Sequence, residues 1–119
     1  MLTENTATHI GTEWIKAWNN HDLDMIMEHY ADNIHFTSPL IVKINNDPSG
    51  IIYSKPVLRA YFERALMAYP DLQFELLKIL TSVNSIVIYY KSFNNLFAAE
   101  LMELNDEGKV VRVVAHYTQ

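Results

Sequence analysis

The chain has 119 residues, half of them hydrophobic, and nine basic against fourteen acidic side chains give a formal net charge of −5; one core is expected, in a single domain over residues 1–119. Mild acidity without a Lys/Arg run repels phosphate backbones and argues against nucleic acid as a partner. The absence of cysteine removes disulfides, thiolate nucleophiles, iron–sulfur ligation and thiolate zinc sites together. No apolar run approaches the roughly 20 residues a spanning helix needs. The start MLTENTATH has no basic stretch followed by an apolar one, as a secretory signal would. The expectation is a cytoplasmic protein with no membrane partner.

From Thr8 to Asn20, Ile10, Trp14, Ala17 and Trp18 fall at i, i+4, i+7 and i+8, one stripe of a helix. Asn19–Asn20–His21 should end it, since Asn tolerates the left-handed conformation. Asp22 can cap a second helix, whose stripe is Leu23, Ile26, Met27 and Tyr30. Ile34–Ser38 reads as a short strand stopped by Pro39. Leu40–Tyr53, with Asn45, Asn46, Asp47, Pro48 and Gly50, reads as a loop with a short strand at Gly50–Tyr53. Ser54 before Lys55–Pro56 looks like the cap and first turn of a third helix. Leu58, Phe62, Ala65 and Leu66 form its apolar face, and Pro70 stops it.

After Pro70 the period changes to two. Residues 71–83, 86–93, 96–104 and 109–118 read as four strands; Asn94–Asn95 and the Gly108 segment are the turns. Helices followed by a meander of strands is an α+β layout. The strand faces carry more. Over Leu96–Leu104 one face holds Leu96, Ala98, Glu100, Met102 and Leu104, the other Phe97, Ala99, Leu101 and Glu103. On the last strand, alternation puts Val111, Val113, Ala115 and Tyr117 on one face and Val110, Arg112, Val114 and His116 on the other. Both faces are largely apolar, although an antiparallel sheet covered on one side should be polar on the other. The concave face can pack on the helices; the convex face needs another partner, most simply a second copy of the chain.

The segments W-I-K-A-W-N-N-H-D-L-D (Trp14–Asp24) and H-Y-A-D-N-I-H-F-T-S-P (His29–Pro39), the turn Tyr69–Leu72 and the closing Leu104–Val113 together resemble the nuclear transport factor 2-like superfamily and its SnoaL-like domains. The resemblance covers nearly the whole chain. It implies three N-terminal helices packed on a curved, mostly antiparallel sheet, a cone-shaped half-barrel around an apolar pocket. It is nearly silent on activity, because this fold hosts isomerases, polyketide cyclases, hydrolases, dehydratases and non-catalytic scaffolds. Ketosteroid isomerase, a member of the superfamily, uses an Asp base and an oxyanion hole of a Tyr and a protonated Asp. The resemblance places Ser38 where that base stands, Trp14 at the oxyanion Tyr and Glu100 at the second Asp; Phe62 replaces a supporting Tyr, and Tyr30 is kept. The usual isomerase base is therefore missing.

Glu100, between Ala98 and Met102 on a mid-sheet face, is the candidate catalytic residue, because loss of solvent should raise its pKa. A structural carboxylate satisfied by neighbours is the competing reading. Trp14, Trp18, Tyr30, Ser38, Phe62, Met102, Val113 and Tyr117 are the candidate ligand-binding residues. No H-x-x-x-H or H-E-x-x-H pairs the five histidines and no G-x-G-x-x-G or G-x-x-x-x-G-K occurs, so neither metal nor nucleotide cofactor is expected. Arg59, Arg64 and Arg112 have no Asp two residues on, which leaves an epoxide-hydrolase-like relay without support. Two classes remain: a cofactor-independent isomerase- or lyase-like enzyme on a small hydrophobic molecule, with Glu100 moving a proton, and a non-catalytic binding or dimerisation module.

Overall fold

Each of the four α-helices among the described residues starts behind a side-chain oxygen that accepts from its first turn. The computed structural model describes residues 2–118. Thr3 caps α1 (Glu4–Asn19), Asp22 caps α2 (Leu23–Glu28), Ser38 caps α3 (Pro39–Ile44) and Ser54 caps α4 (Lys55–Ala68); such a cap contributes about 1 kcal/mol. The helix α3 corrects the expected count of three helices. Pro39 both ends the strand before it and stands in the first turn of α3, where its missing N–H leaves nothing unpaired. Ile41 then points into the core. Between α1 and α2 the left-handed residue is His21, φ 53°, and not either asparagine.

The strands β1 (Tyr30–Thr37), β2 (Ile51–Ile52), β3 (Glu75–Thr81), β4 (Ser85–Lys91), β5 (Phe97–Leu104) and β6 (Val110–Tyr117) form one sheet in the order β2-β1-β6-β5-β4-β3. Only β1 and β6 run parallel. The helices cover the concave face, where Ile86, Ile88, Tyr90, Ala98, Met102, Val110, Val113 and Ala115 are buried. Against β3, α1 approaches so closely at Gly11 that a Cβ there would collide with the side chain of Ile79.

Simple alternation fails on β6. Val110 and Val113 are both buried, while Val111 is half-buried. The register explains it: Glu103 pairs with Arg112 but Leu104 pairs with Val110. One extra residue on β6 is a bulge, and it reverses the phase of everything before it. Val110 therefore shares the concave face with Val113 and Ala115, and Val111 does not.

On the convex face, Leu80, Val87, Leu101 and Val114 form one apolar row across four strands. A ring pair, Tyr89 and Phe97, lies to one side of the row with centroids 6.1 Å apart. On the other side Arg112 and Glu103 form an ion pair at 2.9 Å. No helix among the described residues is long and apolar enough to cross a membrane.

Candidate functional site

The concave face of the sheet is laid out in rows by strand pairing. Tyr90, Ala98 and Tyr117 make one row, and Ile88, Glu100 and Ala115 the next. The pairing sets Tyr90 diagonally across from Glu100, within reach of a long side chain. Its hydroxyl donates to Glu100 Oε1 at 2.8 Å. Glu100 Oε2 has no hydrogen-bond partner among the described residues, and the residue is only 3% exposed. Burial drives the carboxyl up from an ordinary value of 4.5 to about 7, against the lowering effect of the Tyr90 hydrogen bond.

Above this row α1, α3, α4 and the loop before β3 close a cavity. Its wall includes Trp14, Trp18, Phe36, Ser38, Tyr61, Phe62, Phe74, Tyr90, Phe93, Glu100 and Tyr117. The open volume is about 30 Å³, room for a water-sized group and far below the roughly 300 Å³ at which small-molecule pockets begin. The aromatic rings fill the cone themselves: Trp18 meets Phe62 edge-on at 4.9 Å, and Phe74 lies 4.7 Å from Tyr90.

Polar groups converge on this space from three elements. Ser38 caps α3 through its Oγ, which accepts from the N–H of Leu40 at 3.2 Å, and Tyr61 from α4 and Tyr117 from β6 line the same space. Tyr117 lies in the same row as Tyr90, with Ala98 between them. Burial first, and the Glu100 charge second, hold the Tyr90 and Tyr117 hydroxyls far above the usual phenol range, so both are neutral at any working pH. At the helix side Trp18 is 5% exposed and its Nε1 has no partner among the described residues.

Of the nine residues singled out in the sequence, Glu100, Trp14, Trp18, Ser38, Phe62 and Tyr117 line the cavity, whereas Tyr30, Met102 and Val113 do not. Met102 and Val113 are fully buried one row deeper in the sheet. Tyr30 sits behind the wall, where its hydroxyl accepts from Trp14 Nε1 at 2.9 Å. The Trp14 indole N–H is therefore engaged, and the free indole donor belongs to Trp18. Tyr61 and Tyr90 were missed. The alternation Ile86, Ile88, Tyr90 does put Tyr90 on the concave face, but its meeting with Glu100 depends on the β4–β5 register. Among the described residues no group of three or more His, Asp or Glu is placed to hold a metal ion.

A buried carboxyl with one free oxygen, in an aromatic cavity beneath a sheet of this order, can be compared with known proteins. A model of the SnoaL-like domain matches residues 12–119. The chain belongs to the SnoaL-like family. A SnoaL-like protein of unknown function from Burkholderia thailandensis is 40% identical over 98% of both chains, with a TM-score of 0.94. Two more distant structures share the fold. An isomerase candidate of the SnoaL-like family from Agrobacterium tumefaciens is 18% identical over 95% of this chain and 97% of its own (TM-score 0.75). The polyketide cyclase candidate IdmH from Streptomyces antibioticus is 12% identical over 93% and 91% (TM-score 0.77). Among curated proteins none matches the sequence. Within this SnoaL-like chain the strand-end position before Pro39 holds Ser38, whose Oγ is a helix cap, so the cavity has one carboxyl and not two.

Proposed function

We propose that the protein is a cofactor-independent acid/base enzyme of the isomerase, cyclase or dehydratase type, acting on a small hydrophobic substrate with Glu100 as the proton-transfer group. The observation that carries this reading is the free Oε2 of Glu100 in an apolar cavity, on a carboxyl poised at about 7. A group with that pKa takes up a proton and gives it back near neutral pH with little penalty in either direction. Ionised Glu100 removes a proton from carbon beside a carbonyl; the proton resides on Oε2 and returns at a second position or to a leaving hydroxyl. Tyr90 holds Oε1 throughout, which leaves Oε2 to face the substrate. The unpaired Trp18 N–H is a donor for the carbonyl oxygen as negative charge builds on it.

Solvent-deuterium exchange into small cyclic ketones, followed by NMR, tests the reading. The wild type should accelerate exchange and Glu100→Gln should remove the acceleration. Equal exchange in both proteins would favour the second reading, a non-catalytic binding module, whose supporting observation is the small volume left by the cavity's own rings.

The proposal extends to a cytoplasmic homodimer paired through the convex face, with neither nucleic acid nor membrane as partner. The apolar row Leu80, Val87, Leu101 and Val114 supports the pairing, because Leu80 is 53% exposed at the end of a contiguous stripe. Leu101→Lys would set like charges against each other across a two-fold axis. Sedimentation at micromolar concentration should show a dimer for the wild type and a monomer for this variant. A monomeric wild type refutes the pairing.

A further inference from the structure

The cavity wall is buried at all but three places: Leu40 on α3, Phe93 in the turn between β4 and β5, and Tyr117 at the end of β6. A ligand has to enter where the wall meets solvent. Outside one of these places lies a cleft of about 580 Å³ bounded by residues 68–75 and 91–95. Leu72, Phe74 and Phe93 border both the cleft and the cavity.

Two of these three shared residues are anchored. The Phe74 N–H donates to Asn19 Oδ1 at 2.6 Å, and Asn19 Nδ2 donates to the Phe74 carbonyl at 2.9 Å. His21 Nε2 lies 2.8 Å from the Leu72 carbonyl oxygen. Phe93 has no such tie to another element among the described residues. Its turn closes on itself, Ser92 N–H to the Leu96 carbonyl at 2.7 Å and Leu96 N–H to the Phe93 carbonyl at 3.1 Å. Its ring rests on Tyr69, with centroids 4.0 Å apart. Asn94 and Asn95, φ 55° and 59°, are consecutive left-handed residues, a conformation that non-glycine side chains adopt at a cost. Beside them Ser92 borders the cleft, is 5% exposed, and has an Oγ without a partner among the described residues. A buried hydroxyl left unpaired in a cleft wall is a place for a ligand group.

We infer that cavity and cleft are two halves of one binding site with Phe93 as the door between them, and that the site takes a two-part molecule. An apolar ring displaces Phe93 and enters the cavity; an uncharged hydroxyl-bearing tail stays in the cleft on Ser92. The inference rests on the cavity being the ligand site proposed above. The tail carries no negative charge, which the surplus of Asp71 and Glu75 over Lys91 would repel, and a hydroxyl is the group that the unpaired Ser92 Oγ matches. Gln73, Asn94 and Asn95 add neutral hydrogen-bonding groups.

The protein's two tryptophans, Trp14 and Trp18, both line the cavity, so quenching of their fluorescence by acrylamide reads access from solvent. Phe93→Ala should raise the quenching constant severalfold, and Tyr69→Ala, which removes the support of the ring and leaves the turn intact, by less. Leu40→Ala should leave it near the wild-type value. An unchanged constant in Phe93→Ala, or a rise in Leu40→Ala at least as large, overturns the door. For the outer half, N-(2-hydroxyethyl)benzamide should bind the wild type about three- to tenfold more tightly than N-ethylbenzamide, the worth of one hydrogen bond. Ser92→Ala should erase that difference; equal affinities in the wild type, or a difference that survives in Ser92→Ala, overturn the subsite. Glu100→Gln leaves acrylamide quenching unchanged, so failure of the proton-transfer reading shows in the exchange assay and not here.

Discussion

Glu100→Gln is expected to abolish proton transfer and at the same time stabilise the fold above neutral pH. The ionised carboxylate has left water for a cavity in which Tyr90 supplies one hydrogen bond and Oε2 finds none among the described residues. Its folded pKa of about 7 stands above the ordinary 4.5. The unfolded chain therefore releases this proton first. As pH rises from about 4.5 to about 7 the folded state loses stability, and above about 7 the loss is complete and constant, on the order of 3 kcal/mol. Gln keeps the shape and still accepts from Tyr90, but it carries no titrating proton. Thermal melts should show the wild type losing stability relative to Glu100→Gln over this window. The two curves should be close near pH 4 and the mutant higher at pH 8. A mutant clearly less stable than the wild type at pH 8 would mean that Glu100 is a charge-paired structural group, and the acid/base proposal would fall with it.

The largest loss of stability is expected from Trp14→Ala. Trp14 is at the centre of the aromatic cluster, against Trp18, Phe74 and Tyr90, and its Nε1 is the donor to the buried Tyr30 hydroxyl. Truncation opens a cavity in a wall made of rigid rings, which collapse poorly around it, and a large aromatic-to-alanine change costs about 3–5 kcal/mol. It also leaves the Tyr30 hydroxyl without its donor, at about 1–3 kcal/mol. Trp14→Phe separates the two effects, since most of the ring volume remains and the donor goes. Adding Tyr30→Phe removes the orphaned hydroxyl, so the double variant should be more stable than the sum of the single losses implies. Urea denaturation of the four proteins measures this, and strict additivity would show that the 2.9 Å hydrogen bond contributes nothing.

Much of the fold is legible locally. The stripe Ile10, Trp14, Ala17 and Trp18 and the caps Asp22 and Ser54 each depend on side chains a few positions apart, and each appears as read; the four strands after Pro70 are also present, although the first begins only at Glu75 and the last breaks its alternation at a bulge. The helix α3 escaped because Ser38–Pro39 carries two meanings. A proline after an apolar strand signals an end, and the same proline after a serine signals a helix start. Nothing within the sequence says that both hold at once.

What the sequence determined by itself is the order of elements apart from α3, the burial of Glu100 on an apolar strand face and the two-sided apolar character of β5 and β6, because these follow from the alternation of neighbouring residues. Tertiary structure decided the rest. The bulge at Val111 appears only when Glu103 and Leu104 are paired across to β6, and it reassigns the face of Val110. The partner of Glu100 is Tyr90 because β4 and β5 pair Ile88 with Glu100 and Tyr90 with Ala98, a register that no local pattern contains. The size of the cavity is likewise decided in three dimensions. Rings from α1, β1, α4, β4 and the turn at Phe93 are far apart along the chain, and how closely they interlock depends on the helices lying at one angle over a curved sheet.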